Sequence, residues 1–289
     1  MKAFLLALLG LAISVTSAAA GDKIRVLIVD GQNNHKWKET TPVLKQILEE
    51  PEIFSVDVST APEKGKGVAT WLPKFSDYAV VISNYNGEPW SAETKQAFEK
   101  FVTEGGGFVS YHAADNSFPE WPAYNEMIGV GGWGGRNEKS GPYLRWRDGK
   151  WTMDTKPGSG GSHGKQHEFV LNNRATEHPI MKGLPAAFMH RQDELYNSLR
   201  GPAKNVTVLA SAMSPKEMGG SGEEEPLLMA IPYGKGRVFH TALGHYMEAV
   251  HCVAFAVTLQ RGTEWAATGN VTQKVPAGFP DDKASKSWP

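Results

Sequence analysis

The order of strand-like and helix-like segments restricts the fold of this chain more than any other sequence feature. Continuous apolar runs typical of buried strands alternate with longer segments in which apolar residues recur at helical spacing. The strand patterns cover residues 24–29, 54–58, 78–83 and 108–111. The helical patterns cover 37–50 and a segment from the N-cap residue Ser91 to about Thr103. Strands that alternate with helices in this way predict right-handed crossovers onto a parallel sheet.

The second half of the chain departs from this regular order. Residues 129–164 are rich in Gly and Trp, so we expect an insertion folded over one edge of the sheet, with a hairpin at 143–153 that turns at Asp148-Gly149. Strand patterns return at 169–171, 206–210, 227–231 and 237–241, and a final helix is predicted over 247–261.

The predicted fold is therefore one α/β domain over residues 21–280, with a mostly parallel sheet and helices on both faces. Residues 281–289 are charged and contain Pro, and we predict a flexible C-terminal tail there.

The N-terminal residues 1–20 have the pattern of a secretory signal peptide. Lys2 is followed by an uncharged apolar run over 3–15, and Ala18 and Ala20 supply the small residues that a signal peptidase recognises. An uncleaved membrane anchor is the alternative, but the apolar run is shorter than the roughly 20 residues that span a bilayer. We therefore predict cleavage after Ala20, a mature chain without stable membrane insertion, and a periplasmic or secreted location.

Charge and cysteine content argue against two classes of protein. The formal net charge is −1, whereas a non-specific nucleic-acid binder needs a basic face, so we expect no nucleic-acid partner. Cys252 is the only cysteine, so the chain cannot form an internal disulfide. Because it lies in an apolar stretch, we interpret it as a small buried residue rather than a reactive thiol. The sequence carries no signal for an oligomeric state.

Histidines follow three of the predicted strands, at the edge where such sheets bind ligands. His35 comes after the first strand, His112 directly follows 108–111, and His245 comes after 237–241. Two alanines follow His112, which suits a sharp strand-to-helix turn of the type that presents catalytic residues. His112 could serve as a base, a metal ligand or a hydrogen-bond donor to substrate, or pack at the strand end for structural reasons. We predict catalytic roles for His112 and His245 and a substrate-binding role for His35.

His163 and His167 are four residues apart, which on a helix would place both side chains on one face as a metal pair. The glycines at 160, 161 and 164 instead favour a loop, and the segment offers no clear third ligand. A loop that lines a substrate site explains the segment at least as well. Two interpretations therefore stay open: a divalent metal held by His163 and His167, and a substrate contact from His163.

A histidine and two carboxylates lie close together at His190, Asp193 and Glu194. Such groups can perform general acid–base catalysis when their surroundings separate their pKa values. A solvated loop with one carboxylate at a helix start is the alternative. We predict catalytic roles for the two carboxylates and a substrate contact from His190.

Asp115 and Trp90 follow two of the predicted strands and are expected to line the same pocket. Trp90 would then stack on the apolar face of a sugar ring. Packing in the core is the alternative for this residue, and it is the commoner fate of Trp.

Several segments together resemble the ThuA-like family, which is named for trehalose utilisation. They are FVTEGGGFVSYHAAD, EHPIMKGLP, DELY, YGKGRVFHTALGH and the C-terminal QRGTEWAATGNVTQKVP, and the resemblance covers residues 24–280. The family is similar in fold to the class I glutamine amidotransferases, which implies a flavodoxin-like sheet. Where those enzymes carry a nucleophilic cysteine, this chain has His112, and His245 falls near the position of their catalytic histidine. The resemblance therefore implies the same crevice with a different chemistry, not thiol-dependent glutamine hydrolysis.

The link of the family to disaccharides implies a small carbohydrate as the partner of this crevice. The leading hypothesis is an exported enzyme that acts by acid–base chemistry on a disaccharide or keto-sugar. A carbohydrate-binding protein without catalysis and a metal-dependent hydrolase are the alternatives, since a fold does not establish a reaction.

Overall fold

The structure, a computed structural model, describes residues 22–289. The predicted signal peptide and its cleavage site lie outside the described residues. Within this part of the chain, no helix combines the length and the apolar character needed to cross a bilayer.

Strands and helices alternate through the first half of the described chain, and strands predominate in the second. The strands are β1 (Ile24–Asp30), β2 (Phe54–Thr60), β3 (Val80–Ser83), β4 (Gly107–Tyr111), β5 (Tyr143–Arg147), β6 (Lys150–Asp154), β7 (Ser162–His163), β8 (His167–Asn173), β9 (Ala187–Asp193), β10 (Tyr196–Asn197), β11 (Thr207–Met213), β12 (Glu224–Tyr233) and β13 (Gly236–Thr241). The helices are α1 (Trp37–Glu49), α2 (Ala92–Thr103), α3 (Pro122–Ile128), α4 (Met247–Val250) and α5 (Val253–Thr268). The predicted strands and helices are all present with shifted ends, except that the final helix is broken at His251-Cys252 into α4 and α5.

One sheet contains nine of these strands, in the order β2-β1-β3-β4-β13-β12-β11-β8-β9. The run from β2 to β13 is parallel, as predicted, whereas the pairings from β13 to β9 are antiparallel. The α/β fold is confirmed, but the antiparallel part is larger than the sequence predicted. Short connections explain this difference: β12 turns directly into β13 at Tyr233–Gly236, whereas a parallel pair needs a crossover of roughly a dozen residues or more.

Helices cover both faces of the parallel part. Successive side chains along β4 point to opposite faces of the sheet. Phe108 packs against Phe98 of α2 and Tyr124 of α3, with ring centroids 5.0 and 5.8 Å apart. Tyr111, three residues further along, packs against Phe255 of α5 at 5.8 Å. α2 and α3 therefore lie on one face and α5 lies on the other, as expected for this fold class.

The Gly- and Trp-rich segment contains the predicted hairpin. β5 and β6 pair across a turn at Asp148-Gly149, whose two residues have φ of +50° and +78°, as a type I′ turn requires. The hairpin packs on β12, where Arg145 and Glu225 form a buried ion pair at 2.9 Å. Since β12 is an interior strand, the insertion covers the sheet rather than the edge that we predicted.

Two buried arginines hold the remaining loops of the insertion. Arg136 donates hydrogen bonds to the carbonyls of Gly132 and Ser117, both at 2.7 Å. Arg200 donates to the carbonyl of Gly158 at 2.7 Å and to that of Gly141 at 2.8 Å. Each guanidinium thus joins backbone segments that are distant in the sequence.

Residues 281–289, for which we predicted a flexible tail, pack against the domain instead. The carbonyl of Lys286 accepts a hydrogen bond from the N–H of Val253, at the start of α5, at 2.9 Å. Trp288 is 8% exposed, and its ring lies 6.0 Å from that of His251. The prediction rested on charge and Pro content. Neither takes into account how strongly a single large aromatic side chain, here Trp288, favours burial.

Replacing Trp288 with Ala should destabilise the protein by about 3 kcal/mol, because truncating a buried aromatic residue removes apolar burial and leaves a cavity. Urea unfolding would record this change as a lower midpoint at an unchanged slope. Lys283→Ala changes an exposed residue of the same tail and should leave the midpoint where it is. If Trp288→Ala also left it there, the tail would not be packed in solution.

Candidate active site

Loops from several strands meet at the carboxyl edge of the parallel part of the sheet. His35 follows β1, His112 directly follows β4, His245 follows β13, and Glu194 directly follows β9. Each of these four side chains offers one ligand atom, and these atoms all lie within 4.8 Å of one another. We call His35, His112, Glu194 and His245 the His–Glu cluster. The three histidines come together at the edge where the strand-end rule predicted them.

His112 occupies the sharp turn that its position in the sequence predicted. Its backbone has a φ of +44°, a left-handed conformation that costs free energy for a residue with a side chain. Because a carbonyl only accepts, Nδ1–H of His112 donates to Ala242 at 2.8 Å. Nε2 therefore carries the lone pair, and it lies 3.3 Å from Nδ1 of His245. Burial, together with the nearby His35 imidazole, holds the pKa of His112 well below its usual range.

A glycine and a buried carboxylate hold His245 in place. Gly244 has a φ of +101°, and a Cβ at this position would lie 2.5 Å from the ring of Tyr111, so a larger residue does not fit there. Asp193 accepts the N–H of Gly244 at 2.7 Å and that of His245 at 3.0 Å. It also accepts the N–H of Glu194 at 2.8 Å. One buried side chain thus fixes the backbone of two cluster residues.

Glu194 contacts two histidines. Its Oε2 lies 2.9 Å from Nδ1 of His245, and its Oε1 lies 3.6 Å from Nε2 of His163. Burial alone would raise the pKa of this carboxyl, but the hydrogen bond from His245 and the electrostatic interaction with the surrounding imidazoles lower it below its usual value. Glu194 is therefore ionised at neutral pH and accepts the Nδ1–H of His245.

A chain of hydrogen bonds fixes the ring of His35. The amide of Asn84 donates to Thr40 and Thr41, so its Oδ1 is left to accept from the amide of Asn33 at 2.9 Å. The Oδ1 of Asn33 then accepts the Nδ1–H of His35 at 3.1 Å, and Nε2 of His35 carries the lone pair. Burial, with a further contribution from His245, lowers the pKa of His35 to about 4. This imidazole is therefore neutral.

The cluster opens into a cavity of about 460 Å³, a size usual for small-molecule sites. Amides, aromatic rings and the accessible members of the cluster line it: Asn34, His35, Asn86, Asn116, Trp133, His163, Glu194, Tyr196 and His245. β7 and β10 pair so that His163 stands opposite Tyr196, whose ring stacks on His112 at 4.3 Å. Trp133 of the insertion lies beside Tyr196, with ring centroids 4.6 Å apart. A neighbouring open hollow of about 760 Å³ shares Asn34 and Asn86 with this cavity.

Asp193 and His190, which we predicted to be catalytic and substrate-binding, do not line the cavity. They form a buried pair, with Nε2 of His190 2.9 Å from Oδ2 of Asp193. Asp193 acts on the site through backbone hydrogen bonds, and Glu194 is the carboxylate of this segment that reaches the cavity. Successive side chains at a strand end point in opposite directions. Asp193 therefore points into the core, whereas Glu194, the next residue, points into the cavity.

Asp115 and Trp90 also lie away from the cavity, contrary to prediction. Asp115 is fully buried, and its Oδ2 is 3.3 Å from Nε2 of His240. Trp90 is 3% exposed and packs among aromatic rings, including Phe98 at 5.6 Å. Both residues are in the predicted loops, but their side chains turn into the core, where Trp90 gains far more apolar contact than it would beside a ligand.

The structure does not support His163 and His167 as a metal pair. His163 reaches the cavity, whereas Nδ1 of His167 contacts the carbonyl of Lys165 at 2.8 Å and the residue begins β8 opposite Asp193. Among residues 22–289, the group of three or more His, Cys, Asp or Glu side chains that lie close enough to share an ion is the His–Glu cluster, which contains neither residue. Four-residue spacing brings side chains together only on a helix, and this segment is extended.

Sequence reasoning missed several residues that line the cavity. Asn34, Asn86 and Asn116 lie in the three strand-end loops that were predicted to meet, so the signal for them was their position. Tyr196 lies in the DELY segment, two residues after the predicted carboxylate Glu194. A search of these loops for hydrogen-bonding and aromatic side chains, rather than for titratable groups alone, would have found all four.

Comparisons with known proteins agree with this fold. The ThuA family, described as "Trehalose utilisation", matches residues 25–266. The crystal structure of a ThuA-like protein from Parabacteroides merdae ATCC 43184 is similar with a TM-score of 0.90 and 49% sequence identity, over 92% of this chain and 98% of that chain.

More distant structures share the fold alone. A ThuA-like protein from Bacteroides uniformis ATCC 8492 has a TM-score of 0.61 at 20% identity, over 89% of this chain and 98% of that one. A cytoplasmic protein from Salmonella typhimurium LT2 has a TM-score of 0.52 at 15% identity, over 84% of this chain and 99% of that one. No curated protein matches the chain significantly.

Proposed function

The chain belongs to the ThuA family, which is described by its role in trehalose utilisation, and on this basis we propose that it is an enzyme of carbohydrate metabolism. Its reaction is acid–base chemistry on a disaccharide or keto-sugar bound at the His–Glu cluster. The observation that carries the proposal is the contact between His245 and Glu194 at 2.9 Å, beside a polar cavity. A histidine oriented by a carboxylate is the arrangement that many enzymes use to transfer a proton.

His245 is the member of the cluster best placed to exchange a proton with substrate. Its side chain is 21% exposed and lines the cavity, whereas His112 is 2% exposed and lies beneath. With Nδ1–H of His245 held by Glu194, Nε2 of His245 is the proton acceptor. This assignment gives the role of base to His245. For His112, which the sequence left open as a base, a metal ligand or a hydrogen-bond donor, it leaves the role of supporting His245 from below.

The lining of the cavity suits a sugar. The amides of Asn34, Asn86 and Asn116 offer both donors and acceptors, which sugar hydroxyl groups need in equal measure. Trp133 and Tyr196 offer flat apolar surfaces for the C–H face of a ring. The neighbouring hollow of about 760 Å³ leaves room for a second sugar unit.

Thiol-dependent amide hydrolysis is not part of this proposal. Cys252 is buried, precedes α5, and is not among the residues that line the cavity. At the strand-end turn, where a nucleophile would stand, the chain has His112, and an imidazole is a poor nucleophile for a stable covalent intermediate.

Incubating the purified protein with trehalose, other disaccharides and their keto derivatives, with products followed by NMR, tests the proposal. We expect turnover of at least one of these sugars. Saturable binding in a calorimeter without any product would instead favour a carbohydrate-binding protein that does no chemistry.

Trp133→Ala should raise KM for the sugar by about tenfold and change kcat less, because stacking on an aromatic ring contributes about 1.4 kcal/mol to binding. Steady-state kinetics separate the two effects. Trp151→Ala, which removes a tryptophan of β6 outside the cavity, is the matched control and should leave KM unchanged. An unchanged KM in Trp133→Ala would remove Trp133 from the substrate site.

The proposal includes export to the periplasm or beyond, on the strength of the signal-peptide pattern in residues 1–20. N-terminal sequencing of the protein from fractionated host cells tests it. A chain that begins at Gly21 outside the cytoplasm supports export, and an intact N-terminus inside the cytoplasm contradicts it.

A further inference from the structure

We propose that the His–Glu cluster is a binding site for one divalent first-row transition metal ion. Three imidazoles and one carboxylate converge there, from loops that follow four different strands. Nitrogen and carboxylate oxygen donors of this kind bind zinc and its neighbours in the first transition row, whereas calcium and magnesium prefer sites built from oxygen alone.

The spacing of the donor atoms matches such an ion. An ion bound tetrahedrally at 2.0–2.1 Å holds its ligand atoms about 3.3 Å apart. Nε2 of His112 and Nδ1 of His245 are 3.3 Å apart, and Oε2 of Glu194 is 2.9 Å from the same Nδ1. His35 completes the set within 4.8 Å. Because no two of these atoms are more than 4.8 Å apart, side-chain movements that together close at most about 1.5 Å would bring all four around one ion.

The hydrogen bonds behind the cluster prepare its imidazoles for this role. Histidines that bind metals almost always donate their other ring N–H to a carbonyl, amide or carboxylate oxygen, which fixes the tautomer and the ring direction. Nδ1–H of His112 donates to Ala242, and Nδ1–H of His35 donates to Asn33. In each ring this leaves the Nε2 lone pair available. Asp193 anchors the backbone of the other two ligands, Glu194 and His245.

One side of the cluster is open to ligand. His35, Glu194 and His245 line the cavity, and His112 closes the site from below. A fifth coordination position, beyond the four protein ligands, would therefore face the cavity. An ion there would polarise a bound sugar oxygen or acidify a bound water. Binding the ion at Nδ1 of His245 displaces the proton that Glu194 otherwise accepts from this atom, so His245 is a base in the ion-free protein and a ligand in the ion-bound one. The role in turnover rests on the proposed function, whereas the binding of the ion does not.

Zinc titration of the purified protein, after removal of metals with a chelator and dialysis, tests the site without any substrate. We expect one equivalent of Zn²⁺ per chain in a calorimeter. Glu194→Gln, which keeps the size of the side chain, and His35→Ala should each bind Zn²⁺ at least about 100-fold more weakly, since loss of a supporting residue alone costs up to that factor. His167→Ala is the matched control and should bind as the unmodified protein does.

Cobalt provides a second readout that a change in folding does not mimic. Co²⁺ in the site should give visible absorption bands that are lost in Glu194→Gln and retained in His167→Ala. Absence of stoichiometric Zn²⁺ and Co²⁺ binding, or retention of tight binding in both cluster variants, would overturn the inference. Zinc binding without sugar turnover would support the metal site and count against the proposed enzyme. Sugar turnover by a chain that binds neither ion would support the proposed enzyme and overturn the metal site.

Discussion

His245→Ala should leave the protein folded and lower kcat for the proposed sugar substrate by about 1,000-fold. His245 is a member of the His–Glu cluster that lines the cavity, and its Nδ1 is held by Glu194 at 2.9 Å. Loss of a positioned general base typically costs 10²–10⁴-fold in rate, and loss of a metal ligand would be at least as severe. The loss should fall on kcat more than on KM, because proton transfer occurs in the transition state rather than in the bound ground state.

The control for this variant removes a histidine of similar burial from elsewhere in the chain. His251 lies outside the cavity, and His251→Ala should retain nearly full activity. Glu194→Gln should lose about 100-fold in kcat, since it keeps the shape of the side chain but removes the charge that orients His245. Wild-type kcat in His245→Ala, at wild-type stability, would refute the assignment of the base.

Asp193→Ala should destabilise the protein by about 4 kcal/mol, which is the largest stability effect we expect. The carboxylate is buried and accepts the N–H groups of Gly244, His245 and Glu194, and it also pairs with His190. Removing it leaves these donors buried without a partner, and the removal of one side of a buried charged pair typically costs 3–5 kcal/mol.

Asp193→Asn separates the loss of charge from the loss of the acceptor. The amide retains one oxygen, so this variant should be destabilised by roughly half as much, at about 1–3 kcal/mol. Asp282→Ala, at an exposed position, controls for the loss of a carboxylate in general. Urea unfolding at neutral pH measures all three. A loss below about 1 kcal/mol in Asp193→Ala would mean that water replaces the carboxylate and that the loops of the site do not depend on it.

The histidines of the site could be predicted from sequence because their location in the fold follows from the order of strands along the chain. His35, His112 and His245 each follow a strand of the parallel part, and the carboxyl ends of such strands must meet at one edge. Trp90 and Asp115 follow strands as well, yet their side chains point into the core. Position along the chain predicts which loop a residue occupies, whereas the direction of its side chain depends on packing that only the folded chain supplies.

Glu194 and His163 were both predicted as site residues, but no local pattern encodes the contacts that bring them to the site. Glu194 reaches the cluster from β9, which is at the far end of the antiparallel part of the sheet, and no crossover pattern predicts how that part is paired. His163 is placed by a two-residue pairing with Tyr196, which is too short to leave a periodic signal. The spacing of His163 and His167 therefore did not indicate which side chain lies beside His163, namely Glu194 at 3.6 Å.

The two buried arginines of the insertion have a consequence for how ligand binds. Arg136 joins Gly132, next to Trp133 in the wall of the cavity, to Ser117 in the turn that begins at His112. The wall and the floor of the cavity are thereby tied to each other before any ligand arrives. When the competent conformation is already the dominant one, affinity is not reduced by the fraction of molecules that would otherwise have to rearrange. The full intrinsic affinity of the site for its ligand is then available at the first encounter.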